Sequence, residues 1–308
     1  MSAIEQYEPY TGGALGQGAE PFAGGTDLIP LMRSGVHAPS VLVDVKSSAG
    51  PAAGITSSDA GWRIGATTTL AAIEDHDGVP AVLRQAAASA ATRQIRNRAT
   101  LAGNLLQRSR CSYFRDPEIS CWLRGGETCP AREGLHEHLS LETDGPCITT
   151  HPSDPAAALI ACRATVTYEV DGETTTIAVD ELLAPPSDED RRLHRLPDGA
   201  VIVQIDVPDP GDSSTYRKAM DRAAWQFALV GVAAVRSGDD VVVVANGVAP
   251  TPLTLTSVAE ALDSWSDESL DAAADAATDG LTALERNGYK LRLLRGLVRR
   301  SLDDLRAD

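Results

Sequence analysis

Basic charge is in short supply and long apolar runs are missing, and each absence removes a class of function. The 308 residues carry 27 Lys and Arg against 43 Asp and Glu, for a formal net charge of -16 and a pI near 4.7. A surface that tracks phosphates needs clustered cations, so nucleic-acid binding is set aside. Lysine occurs only as Lys46, Lys218 and Lys290. No stretch approaches the ~20 consecutive apolar residues of a membrane span. The opening Met1-Ser2-Ala3-Ile4-Glu5-Gln6 has neither the basic nor the apolar region of a secretory signal. A cytoplasmic location is the default expectation, with export in complex with a signal-bearing partner left open. Internal repeats and low-complexity tracts are absent, as is the dinucleotide fingerprint G-x-G-x-x-G.

What is present is the composition of a soluble globular protein, 43% hydrophobic and 23% charged, over a length that suits two domains. The first third alternates strands (21–23, 40–45, 62–66) with helices (27–34, 69–74 and a long Ala-rich one over 79–96), an α/β opening. Residues 105–150 then lose all periodicity and fill with Cys, Gly, Pro and Arg, and an irregular stretch of that length inside a compact domain is read as functional. Regular structure resumes with a helix over 155–162 and a hairpin, 164–170 with 174–179, turning on Asp171-Gly172. The polar segment 185–195 has the look of a linker. Strands near 200–207, 214–220, 228–235 and 241–245 follow, then helices, which reads as an antiparallel sheet covered by helices.

Two small-residue turns stand out. Phe22-Ala23-Gly24-Gly25-Thr26-Asp27-Leu28 puts two glycines between a strand and a helix start, where backbone N–H groups can approach a phosphate and Thr26 or Asp27 can cap the helix. An ordinary strand-to-helix turn explains the same residues. Thr100-Leu101-Ala102-Gly103-Asn104 follows the basic end Arg93 to Arg98 of the long helix, and by itself reads as a helix C-cap.

Four of the five cysteines, Cys111, Cys121, Cys129 and Cys147, lie in the irregular stretch with nine, seven and seventeen residues between successive members. Four thiolates complete either a tetrahedral zinc site or an iron-sulfur cluster, and this spacing matches neither zinc knuckles nor ferredoxins, so both stay open. Disulfides are the lesser expectation in a chain without an export signal. Cys162 falls on the apolar face of its helix and reads as a buried, inert thiol. His136 and His138 are expected at the surface.

Taken in order, Ala-Gly-Gly-Thr-Asp-Leu (23–28), Ile-Gly-Ala-Thr-Thr-Thr (64–69) and Gln-Ile-Arg-Asn-Arg-Ala-Thr-Leu-Ala-Gly-Asn-Leu (94–105) resemble the FAD-binding domain of molybdopterin dehydrogenases, the xanthine dehydrogenase and aldehyde oxidoreductase group. His151-Pro152-Ser153-Asp154, Lys218 in Tyr216 to Arg222, and Asn246-Gly247-Val248-Ala249-Pro250 extend the resemblance over roughly 20–260. The chain departs from the family pattern in its shorter, Gly-rich residues 1–20 and in Asn246, where glycine is usual.

The resemblance implies an α+β fold. It has a two-part FAD-binding domain of the vanillyl-alcohol-oxidase type over 1–184, with 105–150 inserted, and a C-terminal antiparallel-sheet-plus-helices domain over 196–308. It implies that Phe22, Ala23, Gly24, Gly25, Thr26, Asp27 and Leu28 wrap the FAD pyrophosphate. Thr100, Gly103, Asn104 and Leu196 would line the cofactor, Asp154 would bind its ribityl or phosphate part, and Lys218 would reach it from the second unit. For Asp154 a helix N-cap is the plainer role, and for Lys218 a solvated strand position. Asn104 and Asp154 lie 50 positions apart, so the cysteine stretch is an insertion between two flavin-contacting segments. Arg108-Ser109-Arg110-Cys111-Ser112-Tyr113-Phe114-Arg115-Asp116 looks like the subset whose flavin subunit carries a 4Fe-4S cluster, found in aldehyde oxidoreductases and aromatic acyl-CoA reductases. Arg108, Arg110 and Arg115 would offset the cluster's charge.

The implied function is electron transfer. A molybdopterin-binding large subunit performs the substrate chemistry, and electrons pass through a 2Fe-2S small subunit and the 4Fe-4S cluster to FAD and then to an acceptor. No residues here make a convincing nucleophile or acid-base pair, which fits a carrier. The competing expectations are an aromatic acyl-CoA reductase flavin subunit, a free-standing flavin oxidase and a zinc-stabilised scaffold without redox function.

Overall fold

The computed structural model describes residues 4–47, 52–222 and 226–307; the first three residues of the opening stretch lie outside them. In chain order the elements are β1 (Gln6–Pro9), β2 (Ala19–Phe22), α1 (Leu28–Arg33), β3 (Val41–Asp44), β4 (Ile55–Ser58), β5 (Gly61–Gly65), α2 (Leu70–Glu74), α3 (Ala81–Ser89), α4 (Arg93–Arg96), α5 (Leu101–Leu105) and α6 (Ser112–Arg115). After the cysteine stretch come α7 (Asp154–Ala161), β6 (Thr165–Val170), β7 (Glu173–Ala178), α8 (Val179–Leu182), β8 (Val201–Pro208), β9 (Ser213–Ala219), β10 (Val230–Ser237), β11 (Asp240–Asn246), β12 (Leu253–Thr254), α9 (Thr256–Ala261), α10 (Asp267–Ala276) and α11 (Tyr289–Ala307).

They build three sheets. A small parallel sheet has the order β1-β3-β2, a five-stranded antiparallel sheet runs β4-β5-β8-β6-β7, and a four-stranded antiparallel sheet runs β12-β11-β10-β9. The hairpin β6–β7 turns where expected. Asp171 and Gly172 both have positive φ (53° and 80°), the two-residue turn whose twist suits antiparallel strands.

The four-stranded sheet is covered on both faces, which explains its unbroken apolar strands. Along β10, Ala233 and Val235 pack into the core shared with α3, α5 and α7, while Val230, Val232 and Ala234 pack against the layer of α9, α10 and α11. The first of these cores continues into the five-stranded sheet through Ile64, Val166 and Ile205, so one apolar mass joins the two units. Among the described residues no helix is long and apolar enough to cross a membrane.

Several expectations are corrected. The single helix over 79–96 is two: α3 stops at Ala90, Ala91 takes a left-handed φ of 50°, and the Thr92 hydroxyl caps α4 by accepting from Ile95 N–H. Arg96 explains why alanine propensity loses here. Its guanidinium folds back onto the carbonyls of Ala90 and Ala91 that the break frees, and pairs with Glu74. Thr100 does not end a helix but caps α5, accepting from Gly103 N–H, and Ser153 rather than Asp154 caps α7.

Expected in the second unit, β8 lies instead between β5 and β6, so the chain changes sheets only after residue 208. The segment 185–195 is no free linker. Ala184 and Leu193 share a backbone hydrogen bond, and Arg191 lies over the Trp122 ring at 4.5 Å while donating to the Gly126 carbonyl. His136 is buried, its Nε2 accepting from Arg286 N–H at 3.1 Å, because the cysteine stretch packs against the start of α11.

Candidate functional site

The two glycine-containing segments both line a cleft of about 590 Å³, a size typical of small-molecule sites. The turn Ala23 to Leu28 forms part of its wall. The lining also includes Thr67, Thr100, Gly103 and the stretch from Arg191 to Ile202, with Leu196 among them. The turn needs its glycines for two reasons: Gly25 has a φ of 70°, and a Cβ on Gly24 would run into the Arg98 carbonyl. The close approach at Gly24 presses the turn onto residues 98 and 99, just ahead of Thr100, and so brings the two segments together.

Asp27 precedes α1 but does not cap it with its side chain. Its carboxylate accepts instead from Arg108 N–H at 2.8 Å, and pairs with the guanidinium groups of Arg110 at 2.9 Å and Arg115 at 2.7 Å. Burial pulls the Arg110 guanidinium down to about 10 although Asp27 opposes it, and its plane stacks 4.6 Å from the Phe227 ring centroid. Glu20, at the cleft edge, accepts from Arg108 at 2.8 Å and lies 2.9 Å from His37 Nε2. Burial alone would raise the Glu20 carboxyl, but the hydrogen bond to His37 and the Arg108 charge outweigh it and lower it. His151 and His194 also line the cleft, and burial lowers both imidazoles to about 4, so they stand neutral near pH 7.

Four expected cofactor residues stand off this wall. The Phe22 ring meets Tyr7 edge-on at 6.0 Å. Asn104 accepts from the Ser153 hydroxyl at 2.6 Å, which ties α5 to the cap of α7. Asp154 and Lys218, each with a side chain only 3% exposed, form an ion pair of 2.7 Å. The carboxylate also accepts from Tyr216 OH at 2.6 Å and Asn246 Nδ2 at 3.1 Å, and Lys218 donates to the Ser89 carbonyl at 2.9 Å. Tyr216 and Lys218 share a face of β9 by the two-residue period of a strand, and Gly231 on β10 leaves the space that Asn246 and Tyr216 OH fill. Burial and the Asp154 charge raise the Tyr216 phenol well above its usual range, so it stays a donor. The network clamps α7 to β9 and β11.

The cysteines of the irregular stretch converge. Cys111 packs between two small apolar clusters, one containing Cys121 and Phe114, the other Cys129 and Ile148. Burial raises the Cys111 thiol, while N–H groups of Phe114 and Tyr113 point at its sulfur. A hydrogen bond with Cys147 lowers Cys129 to about 5, assisted by the N–H groups of Ile148 and Ala131. The same hydrogen bond and burial raise Cys147, whose sulfur receives the Thr149 N–H. Among the described residues no three His, Cys, Asp or Glu side chains stand close enough to hold a single metal ion. Cys162 lies apart, buried in the main core with its thiol pushed up to about 12 by that burial.

Arg191, Arg192, Leu193 and His194 were not expected in the site. Their polar run carries no local signal of it, because only the pairing of β8 with β5 and β6 brings the preceding segment over the cleft.

Residues 5–210 match the family model described as the FAD binding domain in molybdopterin dehydrogenase. The chain is 37% identical over 298 residues, 94% of its length and 92% of the other's, to the aldehyde oxidoreductase FAD-binding subunit PaoB of Escherichia coli (strain K12). Its fold is similar to a chain of carbon monoxide dehydrogenase from Hydrogenophaga pseudoflava, with a TM-score of 0.75, 23% identity, and coverage of 100% of this chain and 99% of that one. It is likewise similar to a chain of quinoline 2-oxidoreductase from Pseudomonas putida 86, with a TM-score of 0.73, 17% identity, and coverage of 98% and 97%. With two thirds of its residues in the family model and a relative matched almost end to end, the chain belongs to the FAD-binding subunits of the molybdopterin dehydrogenases, oxidoreductase components of the molybdenum hydroxylase group.

Proposed function

We propose that this chain is the FAD- and 4Fe-4S-carrying electron-transfer subunit of an aldehyde-oxidising molybdenum hydroxylase. In this assembly a molybdopterin-binding large subunit handles the substrate and a 2Fe-2S small subunit delivers electrons. The observation that carries the reading is the adjacency of the two sites: Ser109 lines the cleft while its hydroxyl accepts from Cys111 N–H at 3.1 Å. The likeness to an aldehyde oxidoreductase subunit along 94% of the chain supports the aldehyde assignment.

FAD fits the cleft by size and by the shape of the glycine turn, and when bound it supplies the exchange between paired and single electrons. Ala23, Gly24, Gly25, Thr26, Asp27 and Leu28 would hold the pyrophosphate through backbone N–H groups, with Thr100, Gly103 and Leu196 against the remainder. Asn104 acts from behind, through Ser153, and the Asp154–Lys218 pair fixes the two units that flank the cofactor. His151 and His194 stay neutral there and add no charge to the cleft.

Cys111, Cys121 and Cys129 gather at the two small apolar clusters of the irregular stretch, Cys147 hydrogen-bonds Cys129, and four thiolates are the number a cubane cluster takes. N–H groups directed at three of the four sulfurs are the usual device for setting cluster potential. The test is composition of the purified chain: one FAD released by acid and roughly four iron and four acid-labile sulfide per chain are expected. One zinc without sulfide overturns the cluster, and aldehyde turnover by the lone chain overturns the carrier role.

A further inference from the structure

The flavin turn and the cysteine stretch are joined by a continuous chain of polar contacts. It begins at Asp27, a residue type suited to capping α1. Its carboxylate is spent instead on three donors of the cysteine stretch, Arg108 N–H, Arg110 and Arg115. Arg115 passes the connection on by donating through Nε to the Ser109 carbonyl at 2.7 Å. The Ser109 hydroxyl accepts from Cys111 N–H and shares a hydrogen bond of 2.6 Å with the Thr149 hydroxyl, 40 positions away. Thr149 N–H points at Cys147.

Both arms of the cysteine stretch therefore meet at one buried hydroxyl pair, Ser109 being 0% and Thr149 2% exposed. That pair is tied through a single guanidinium to the turn that shapes the cleft. Asp27 contributes to both the cleft wall and the relay: its backbone belongs to the glycine turn and its carboxylate pairs with the arginines of the cysteine arm. A largely buried hydrogen-bonded network in a low-dielectric interior polarises its members cooperatively, so that loosening one end loosens the other.

We propose that Asp27, Arg115 and the Ser109–Thr149 hydroxyl pair are positioning residues through which filling of the cysteine site tightens the binding of FAD. The inference rests on the reading of the cleft as the flavin site and of the cysteines as cluster ligands. With the cysteine site empty, the arms at residues 111 and 147 are tied by the hydroxyl pair alone, and a filled site adds a second tie that the relay carries on to the glycine turn. Because coupling between two binding events is reciprocal, bound FAD must strengthen cluster binding by the same equilibrium factor.

The test uses the full chain with its flavin removed and its cysteine site either reconstituted with iron and sulfide or stripped by a chelator under reductant. FAD affinity is read by quenching of flavin fluorescence, with iron and sulfide assayed in parallel. In the wild type the filled site should bind FAD roughly tenfold more tightly than the stripped one, an ordinary size for coupling between sites. Thr149→Val, nearly isosteric, should take up iron and sulfide as the wild type does yet show less than about a twofold response, and Thr149→Ser should restore it. Asp27→Asn provides a second variant: asparagine is an equally good capping type, but it cannot hold two guanidinium groups, so the response should again collapse. Equal FAD affinity in the filled and stripped wild type, or a full response in Thr149→Val, overturns the proposal alone. A wild type that takes up neither iron nor sulfide overturns the cluster reading and the coupling with it.

Discussion

Removing the Lys218 ammonium should be among the most damaging single changes available outside the cleft. Its 2.7 Å pair with Asp154 is shielded on both sides, each side chain being 3% exposed, so no water replaces a lost partner. Breaking a buried pair costs about 3–5 kcal/mol because one charge is left uncompensated. In Lys218→Met the stranded carboxylate keeps the Tyr216 hydroxyl at 2.6 Å and the Asn246 amide at 3.1 Å. Each hydrogen bond to a charged group is worth about 1.5–3 kcal/mol, so the cost should fall near 3 kcal/mol rather than 5. Asp154→Asn should cost a similar amount, leaving Lys218 only the Ser89 carbonyl and an amide oxygen. The double variant should lose less than the two singles added together, with a coupling of about 2 kcal/mol. Urea unfolding of the flavin-free chain, followed by circular dichroism, measures all four corners of the cycle. Singles below about 1 kcal/mol, or a coupling below about 0.5 kcal/mol, would show that α7 and β9 are not held by this pair.

Other changes probe the remaining parts. Gly25→Val should abolish FAD retention while the four-stranded sheet unit stays folded, because a φ of 70° is strained for a β-branched residue and its Cβ would sit 2.8 Å from Ile29 Cδ1; acid precipitation and flavin fluorescence check both the loss and the non-covalent attachment. Cys147→Ser should lower iron and weaken FAD, whereas Cys162→Ala should leave iron and flavin intact and cost about 1 kcal/mol of packing, since Cys162 lies in the main core. Lys290 donates to the carbonyls of His138, Leu139 and Gly247, and burial lowers its ammonium to about 7. The unfolded chain then binds the extra proton between about pH 7 and 10.5, so stability should rise with pH over that window, by at most about 1.4 kcal/mol per unit, and level off below it. Urea melts from pH 6 to 9 test this, and the same slope in Lys290→Met would refute it.

Much was legible in the sequence because it depends on neighbours in the chain. Thr69 opens the short helix expected at 69–74 by reaching three residues forward, and Asp171-Gly172 turns a hairpin because both positions tolerate positive φ. The ordered segments at 22–28, 64–69 and 94–105 carry the signature of the flavin family in the sequence itself. Tertiary structure alone decided the rest. Whether β8 joins one sheet or the other depends on partners far along the chain, since Ile205 pairs with Ile64 on one side and Val166 on the other. The Ala-rich run at 79–96 breaks because Arg96 gains Glu74 and two freed carbonyls, a return that helix propensity does not register. Likewise Asp27 and Asp154 sit where local rules put helix caps, yet the fold spends one on the arginines of the cysteine stretch and the other on Lys218. Caps and turns are settled within a few residues of chain, whereas the burial that makes a carboxylate need a cation is settled only when distant segments close over it.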